Sequence, residues 1–198
     1  MIDAVALQQP PAAVRPAIHW DAIPYDARRK ADMRAYAIRH YGIRTARLRA
    51  PKVVVEHLTA NSSYRATWNT FAPNRPDPEL GERPGTCAHF VIDPAGRIHQ
   101  LVPLGLMCRH TVGLNWTAIG IEHVGTSEAA VMGNRRMLRA SQALTRWLQA
   151  RFSIRTRDVI GHRESRSSPY HRERVARLRT QTHADFPASV MRRYRAGL

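Results

Sequence analysis

At 198 residues and 22.5 kDa, the chain has the length of one domain, at most one with a short N-terminal arm. Hydrophobic residues at 43% and charged residues at 23% exclude a wholly disordered chain, and no run approaches the ~18 apolar residues of a membrane-spanning helix. The charge is unusual: 31 basic residues against 15 acidic give a net +16, and all but Lys30 and Lys52 of the basic residues are arginines. Such a surplus implies affinity for polyanions, whether nucleic acid, an anionic lipid surface or an anionic wall polymer. Arginine dominance is equally what GC-rich coding produces.

Residues 1–23 are rich in proline and alanine, show no period, and read as an arm on a domain spanning residues 24–198. Met1 to Val14 is short of charge and carries Pro10 and Pro11, so it does not read as a signal peptide. From Asp26 to Tyr41 the period is helical, with Met33, Tyr36, Ala37 and Tyr41 on one face, arginines over the rest and Gly42 as the stop. Lys52 to His57 is a short β-branched run, the mark of a buried strand. Asn61 to Phe71 reads as a helix capped by Asn61 or Ser62, and Pro73 to Gly85 as a long loop. Cys87 to Ile92 and Arg97 to Val102 form a hairpin about the turn Asp93 to Gly96. Ala118 to Val124 is a further strand, Arg135 to Phe152 an amphipathic helix, and Asp158 to Gly161 a short strand. Arg172 to Arg179 and Pro187 to Arg195 read as closing helices. The pattern predicts an α/β domain with a central mixed sheet flanked by helices. Cys87 and Cys108 form either one disulfide or two buried thiols.

Histidines stand where chemistry would need them. His57 ends one strand, His162 follows another, and His171 lies nine residues further on. Three neutral imidazoles converging at strand ends would suit Zn²⁺ with a fourth position open. The alternative for each is a satisfied core or turn histidine. Glu122 sits inside Ile119 to Val124, a segment otherwise written for burial. A carboxylate there is costly unless paired or working, and desolvation would move it towards general-base range. An edge-strand glutamate facing solvent is the competing reading. His123 points to the other face of that strand.

Together these segments resemble a known family. VVVEHLTA around His57, CAHFVIDPAGRIHQLVP, RHTVGLNWTAIGIEHVG and VIGHRES look like the zinc-dependent N-acetylmuramoyl-L-alanine amidases. That superfamily also holds the peptidoglycan recognition proteins and the phage lysozyme-type amidases. The resemblance spans residues 52–172, about 60% of the chain, with the motifs in family order. It implies a zinc site at the mouth of a peptidoglycan groove, with His57 and His162 as the first two ligands and Glu122 as the catalytic glutamate. The third ligand of such enzymes is an Asp or Cys eight to ten residues after the second histidine. Here His171 occupies that window and is taken as the ligand, with Asp185 as the fallback. The lysine often found two residues before the third ligand is replaced by Pro169, which leaves the oxyanion role vacant or moves it to Arg166, Tyr64 or another donor. His89, His110 and Asn115 match groove positions, and Tyr64, Trp68 and Trp116 could stack on sugar or peptide.

The implied reaction is hydrolysis of the amide between the lactyl group of N-acetylmuramic acid and L-alanine. It implies a monomer acting at the bacterial cell envelope, outside the cell, or on the wall as a phage lysin. Anionic wall polymers are the expected partners, with no membrane span and no specific nucleic acid. Two other readings compete. A peptidoglycan-binding module of the same fold would lack a zinc ligand, and a nucleic-acid-binding protein would need an RNA- or DNA-recognition motif that is absent here.

Overall fold

The central strands of the sheet are short runs whose apolar residues leave no side for water. The sheet is seen in a computed structural model that describes residues 13–198. The strands are β1 (Ile18–Trp20), β2 (Val53–Leu58), β3 (Phe90–Ile92), β4 (Ile98–Gln100), β5 (Ala118–His123) and β6 (Val159–Gly161), in spatial order β1-β4-β3-β5-β2-β6. Every neighbouring pair is parallel except the β3–β4 hairpin, so the sheet is mixed as expected. Parallel strands covered on both faces need continuous apolar runs, and Val53, Val54, Val55, Ile119 and Ile121 are all fully buried. The outer part of the arm lies outside the described residues. Its inner end is an edge strand, Ile18–Trp20, in register with Ile98–Gln100.

Helix α1 (Ala27–Tyr41) begins where Asp26 accepts the Arg29 amide and ends where Gly42 turns left-handed at φ 72°. Its apolar face is buried as the period requires. Arg29 differs from the expectation that arginines cover the solvent side: it is fully buried. Its guanidinium donates to the carbonyls of Pro24, Phe71, Ala72, Gly85 and Thr86 at 2.9–3.3 Å, which ties α1 to both ends of the 73–85 loop. His40, also buried, is clamped between Glu173 at 2.9 Å and Glu82 at 2.8 Å. The loop is thus fixed from beneath by two α1 side chains. Arg29→Met would strand several buried carbonyls, each costing about 1–3 kcal/mol. Urea unfolding should therefore show a loss of about 3 kcal/mol or more, and a variant as stable as the parent would contradict this role.

Helix α2 (Tyr64–Phe71) starts later than the sequence suggested, because the capping oxygen is that of Ser63, which accepts the Ala66 amide, while the Asn61 side chain accepts the Ser63 amide, ahead of the helix. Asn61 is instead drawn into a bridge with Gly125. Helices α3 (Glu128–Gly133), α4 (Arg135–Phe152) and α5 (Ala188–Arg195) follow; α3 was not foreseen. The helix expected over residues 172–179 does not form, and only a 3₁₀ turn at Ala176–Leu178 remains. The amides of Leu178 and Arg179 bond three residues back, to the carbonyls of Val175 and Ala176, rather than four, while those of Arg172 and Arg174 hold the stretch to Gly113 and His40 across the fold. Cys87 and Cys108 are joined in a disulfide.

The register of β2 with β5 decides which side does chemistry. His57 pairs with Glu122, so both point to one face, while Glu56 and His123 point to the other. On that second face α4 and α5 close a buried polar network. Thr145 donates to Glu56 at 3.0 Å, His123 meets Ser141 at 2.7 Å, and the Tyr194 hydroxyl meets Ser141 and Thr145. The first face carries Val53, Val55, Ala118, Leu114 and Ile160 as a small apolar floor leading up to His57.

Candidate metal and catalytic site

Three ligand-type side chains converge above that floor. His57 lies near the end of β2 and His162 directly follows β6, which pairs with β2 so that the two imidazoles meet edge-to-face, centroids 4.7 Å apart. Asp185 is the third: its carboxylate oxygens lie 3.5 Å from His57 Nδ1 and 3.6 Å from His162 Nδ1. The 184–187 segment reaches the sheet because Gly161 has no side chain. A Cβ there would stand 1.8 Å from the carbonyl oxygen of Phe186. Phe186 is buried and left-handed at φ 51°, and the Asp185 carbonyl accepts the Arg163 amide at 3.0 Å.

His171 does not join this group. The chain leaves His162 through a 3₁₀ helix ending at Ser167, and His171 then packs its ring on Gly113, where a Cβ would meet it at 2.2 Å. Among the described residues the ligand-type group is His57, His162 and Asp185, the sequence fallback, and His171, nine residues after His162, stands apart from it.

The hydrogen-bond network sets which nitrogen of His57 faces the group. His110 Nε2 meets the Ala118 carbonyl, which can only accept, at 3.4 Å. Its Nδ1 is then an acceptor, 3.1 Å from His57 Nε2. A neutral His57 thus donates from Nε2 and keeps its lone pair on Nδ1, whereas a charged His57 also donates from Nδ1, the atom facing Asp185. His110 itself lies over Gly120, where a Cβ would clash at 2.6 Å. The orienting histidine exists because β5 carries a glycine at that point.

Electrostatics divide the groups. Burial would raise Asp185, but the hydrogen bond and charge of His57, with help from His162, hold its carboxyl at about 2. Burial would lower His57, yet the Asp185 hydrogen bond and the charges of Glu122, Asp185 and Glu56 raise it. Burial, together with the His57 charge, pushes His162 well below the ordinary histidine value, which leaves it a neutral imidazole. Glu122 is pushed up to about 7 by burial, against the lowering charge of His57. Its Oε2 and His162 Nε2 are both buried without a hydrogen-bond partner among the described residues.

The donor set suits zinc. Neighbouring ligands of a tetrahedral zinc with bonds of about 2.1 Å lie roughly 3.4 Å apart, close to the two histidine–aspartate separations. Two imidazoles and one carboxylate would leave a fourth position open.

The remaining expected site residues are engaged within the protein. His89 is fully buried, accepting the Gly120 amide on Nδ1 and bonding the Leu106 carbonyl through Nε2. Asn115 Oδ1 accepts the amides of His110 and Thr111, and its Nδ2 donates to Tyr36. Asn115 thereby shapes the turn that carries His110, and the polar atoms of both side chains are engaged within the protein. Tyr64 belongs to another neighbourhood: its hydroxyl donates to Asp21 and its ring stacks on His99 of β4, 3.7 Å between centroids.

The model of the N-acetylmuramoyl-L-alanine amidase family matches residues 47–176, about two thirds of the chain. The chain belongs to this family. No curated protein sequence matches it. Among solved structures, it is similar to the endolysin N-acetylmuramoyl-L-alanine amidase LysCS from Clostridium intestinale URNW, at 20% identity and TM-score 0.55 over 79% of this chain and 87% of that one. It is also similar to a mutant endolysin from Bacillus subtilis, at 20% identity and TM-score 0.54 over 91% and 97% of the two chains. An AmpD derivative gives 17% identity and TM-score 0.56 over 92% and 97%. These likenesses establish the amidase fold. The matched segment holds His57, Glu122 and His162 but stops short of Asp185.

One further residue, absent from the sequence expectations, stands beside the His57, His162 and Asp185 group. His183 stacks on His162 with centroids 4.7 Å apart and planes 5° from parallel. Its Nε2 meets Glu79 of the 73–85 loop at 3.0 Å, and Gln181 donates to the same carboxylate at 3.1 Å. The signal was its place two residues before Asp185, visible only once Asp185 is known to be in the group.

Proposed function

We propose that this amidase hydrolyses the bond between the lactyl carbonyl of N-acetylmuramic acid and the amine of L-alanine, with Zn²⁺ held by His57, His162 and Asp185. The observation that carries the reading is the register of His57 with Glu122, which sets an unpartnered carboxylate beside the ligand group. Zinc in such a set is a Lewis acid that polarises a carbonyl and acidifies water. Glu122 Oε2 takes a proton from the attacking water as its oxygen joins the carbonyl carbon. The same carboxyl returns that proton to the alanine nitrogen as the C–N bond breaks, so a neutral amine leaves. His110 holds His57 in the tautomer whose Nδ1 faces the ligands. His183 takes the place, two residues before Asp185, where the family resemblance expects the oxyanion partner, a role left without a side chain while Pro169 was counted there.

The rival reading as a binding module rested on a missing third ligand, and Asp185 removes that ground. Digestion of purified sacculi tests the choice. Hydrolysis should release stem peptides with new L-alanine amino termini, whereas binding without new termini would favour the module.

Net charge of +16 supports a second element of the reading, attraction to anionic wall polymers. Exposed arginines stay charged at any physiological pH, but salt screens them. Binding to intact walls should fall steeply between low salt and ~0.5 M salt, while cleavage of a small neutral muropeptide changes far less. Equal salt sensitivity of both would place the effect in the active site.

A further inference from the structure

The positive charge has one concave concentration away from the site. Lys30 and Arg34, one turn apart on the exposed side of α1, line a cavity of about 440 Å³ together with Arg44 and Arg47 of the connection to β2. Ala31, Thr45, Ala46 and Leu106 complete its wall. None of the four cations forms an ion pair among the described residues. The nearby acids of α1 are engaged elsewhere, Asp26 capping the helix and Asp32 accepting from Asn74.

The backbone fixes this arrangement. Gly42 ends α1 and turns the chain back. The returning segment is then stapled beyond β4 by the Arg47–Leu106 bridge, with Met107 donating to the Ala46 carbonyl at 2.8 Å and Leu48 to that of Gly105 at 3.1 Å. Four like charges held around one hollow repel each other in the free protein, and an anion seated among them would relieve that repulsion.

We infer that this cleft docks a phosphodiester-bearing anionic polymer of the cell wall, of the polyol-phosphate kind. Three of its four cations are forked guanidinium groups, which match phosphate oxygens two at a time. The cavity's volume is in the range of ligand sites and exceeds what one phosphate fills, as a repeating chain requires. The cleft residues include no aromatic ring on which a base could stack, which disfavours single-stranded nucleic acid. The choice of a wall polymer rests on the amidase reading above. The two sites share no residue: the cleft is built from α1 and the 44–47 segment stapled to residues 105–107, whereas His57, His162 and Asp185 stand on β2, after β6 and on the 184–187 segment. A polymer can dock there and leave the catalytic face free.

The test compares two fourfold variants with equal loss of charge. One combines Lys30→Gln, Arg34→Gln, Arg44→Gln and Arg47→Gln. The other combines Arg135→Gln, Arg139→Gln, Arg192→Gln and Arg193→Gln, exposed arginines of α4 and α5. Binding of fluorescent poly(glycerol phosphate) and of an oligothymidylate with the same number of phosphates is read by anisotropy at about 50 mM salt, with the Tm of each variant checked against the parent. The cleft variant should bind poly(glycerol phosphate) at least roughly tenfold more weakly, and the control variant within about threefold of the parent. The parent should prefer poly(glycerol phosphate) to the oligothymidylate. Equal weakening of the two variants, or an unaffected cleft variant, would overturn the site. Tighter binding of oligothymidylate by the parent, lost in the cleft variant, would overturn the ligand class. Because no cleavage is read, a chain that binds here yet cuts no muropeptide would refute only the amidase reading.

Discussion

Replacing Asp185 with alanine should strip zinc from the purified protein, and replacing His171 with alanine should leave one zinc per chain. Asp185 spans both histidines, 3.5 Å and 3.6 Å from their Nδ1 atoms, so its loss leaves two ligands where zinc needs three from the protein. Altering partners that merely orient ligands costs roughly 10–100-fold in affinity, and loss of a ligand should cost more than about 100-fold. His171 packs on Gly113, outside the group, and its truncation should disturb local packing alone. Metal analysis after dialysis against a weak chelator separates the cases. Zinc retained in Asp185→Ala and lost in His171→Ala would reverse the assignment.

Glu122→Gln should keep its zinc and lose its turnover. The substitution is nearly isosteric and still hydrogen-bonds, but an amide cannot take the proton of the attacking water. A positioned acid–base group contributes about 10²–10⁴-fold, and turnover should fall by that factor. Zinc per chain and wall binding should not change. Loss of zinc with turnover would make Glu122 a ligand, and activity within about threefold of the parent would make it a structural residue.

What the sequence made legible followed from burial patterns. The β-branched run ending in His57, the hairpin about Asp93 to Gly96, and the helical periods of α1 and α4 are local signals, and each element formed where its pattern lay. Glu122 was legible because a carboxylate among isoleucines has few structural excuses. Asp185 was nameable only as a fallback, because it reaches the two histidines through a tertiary approach: Gly161 lacks a side chain, and Phe186 anchors the returning segment. The expected helix over residues 172–179 gives way to another tertiary path, in which the Arg172 and Arg174 amides tie the stretch to Gly113 and His40 and only a 3₁₀ turn follows. Residue types also hide which polar atoms are free. His89 and Asn115 looked like groove residues, and only the hydrogen-bond network shows their polar atoms engaged inside.

Hydrolysis of a soluble muropeptide in H₂¹⁸O, read by mass spectrometry, tests the central claim most directly. With the chain loaded with one zinc, the expected products are a peptide with a free L-alanine amino terminus and an N-acetylmuramic acid whose lactyl carboxylate carries one ¹⁸O. Label in a stem-peptide carboxylate or on the glycan, or an intact muropeptide after prolonged incubation with the zinc-loaded chain, would contradict it.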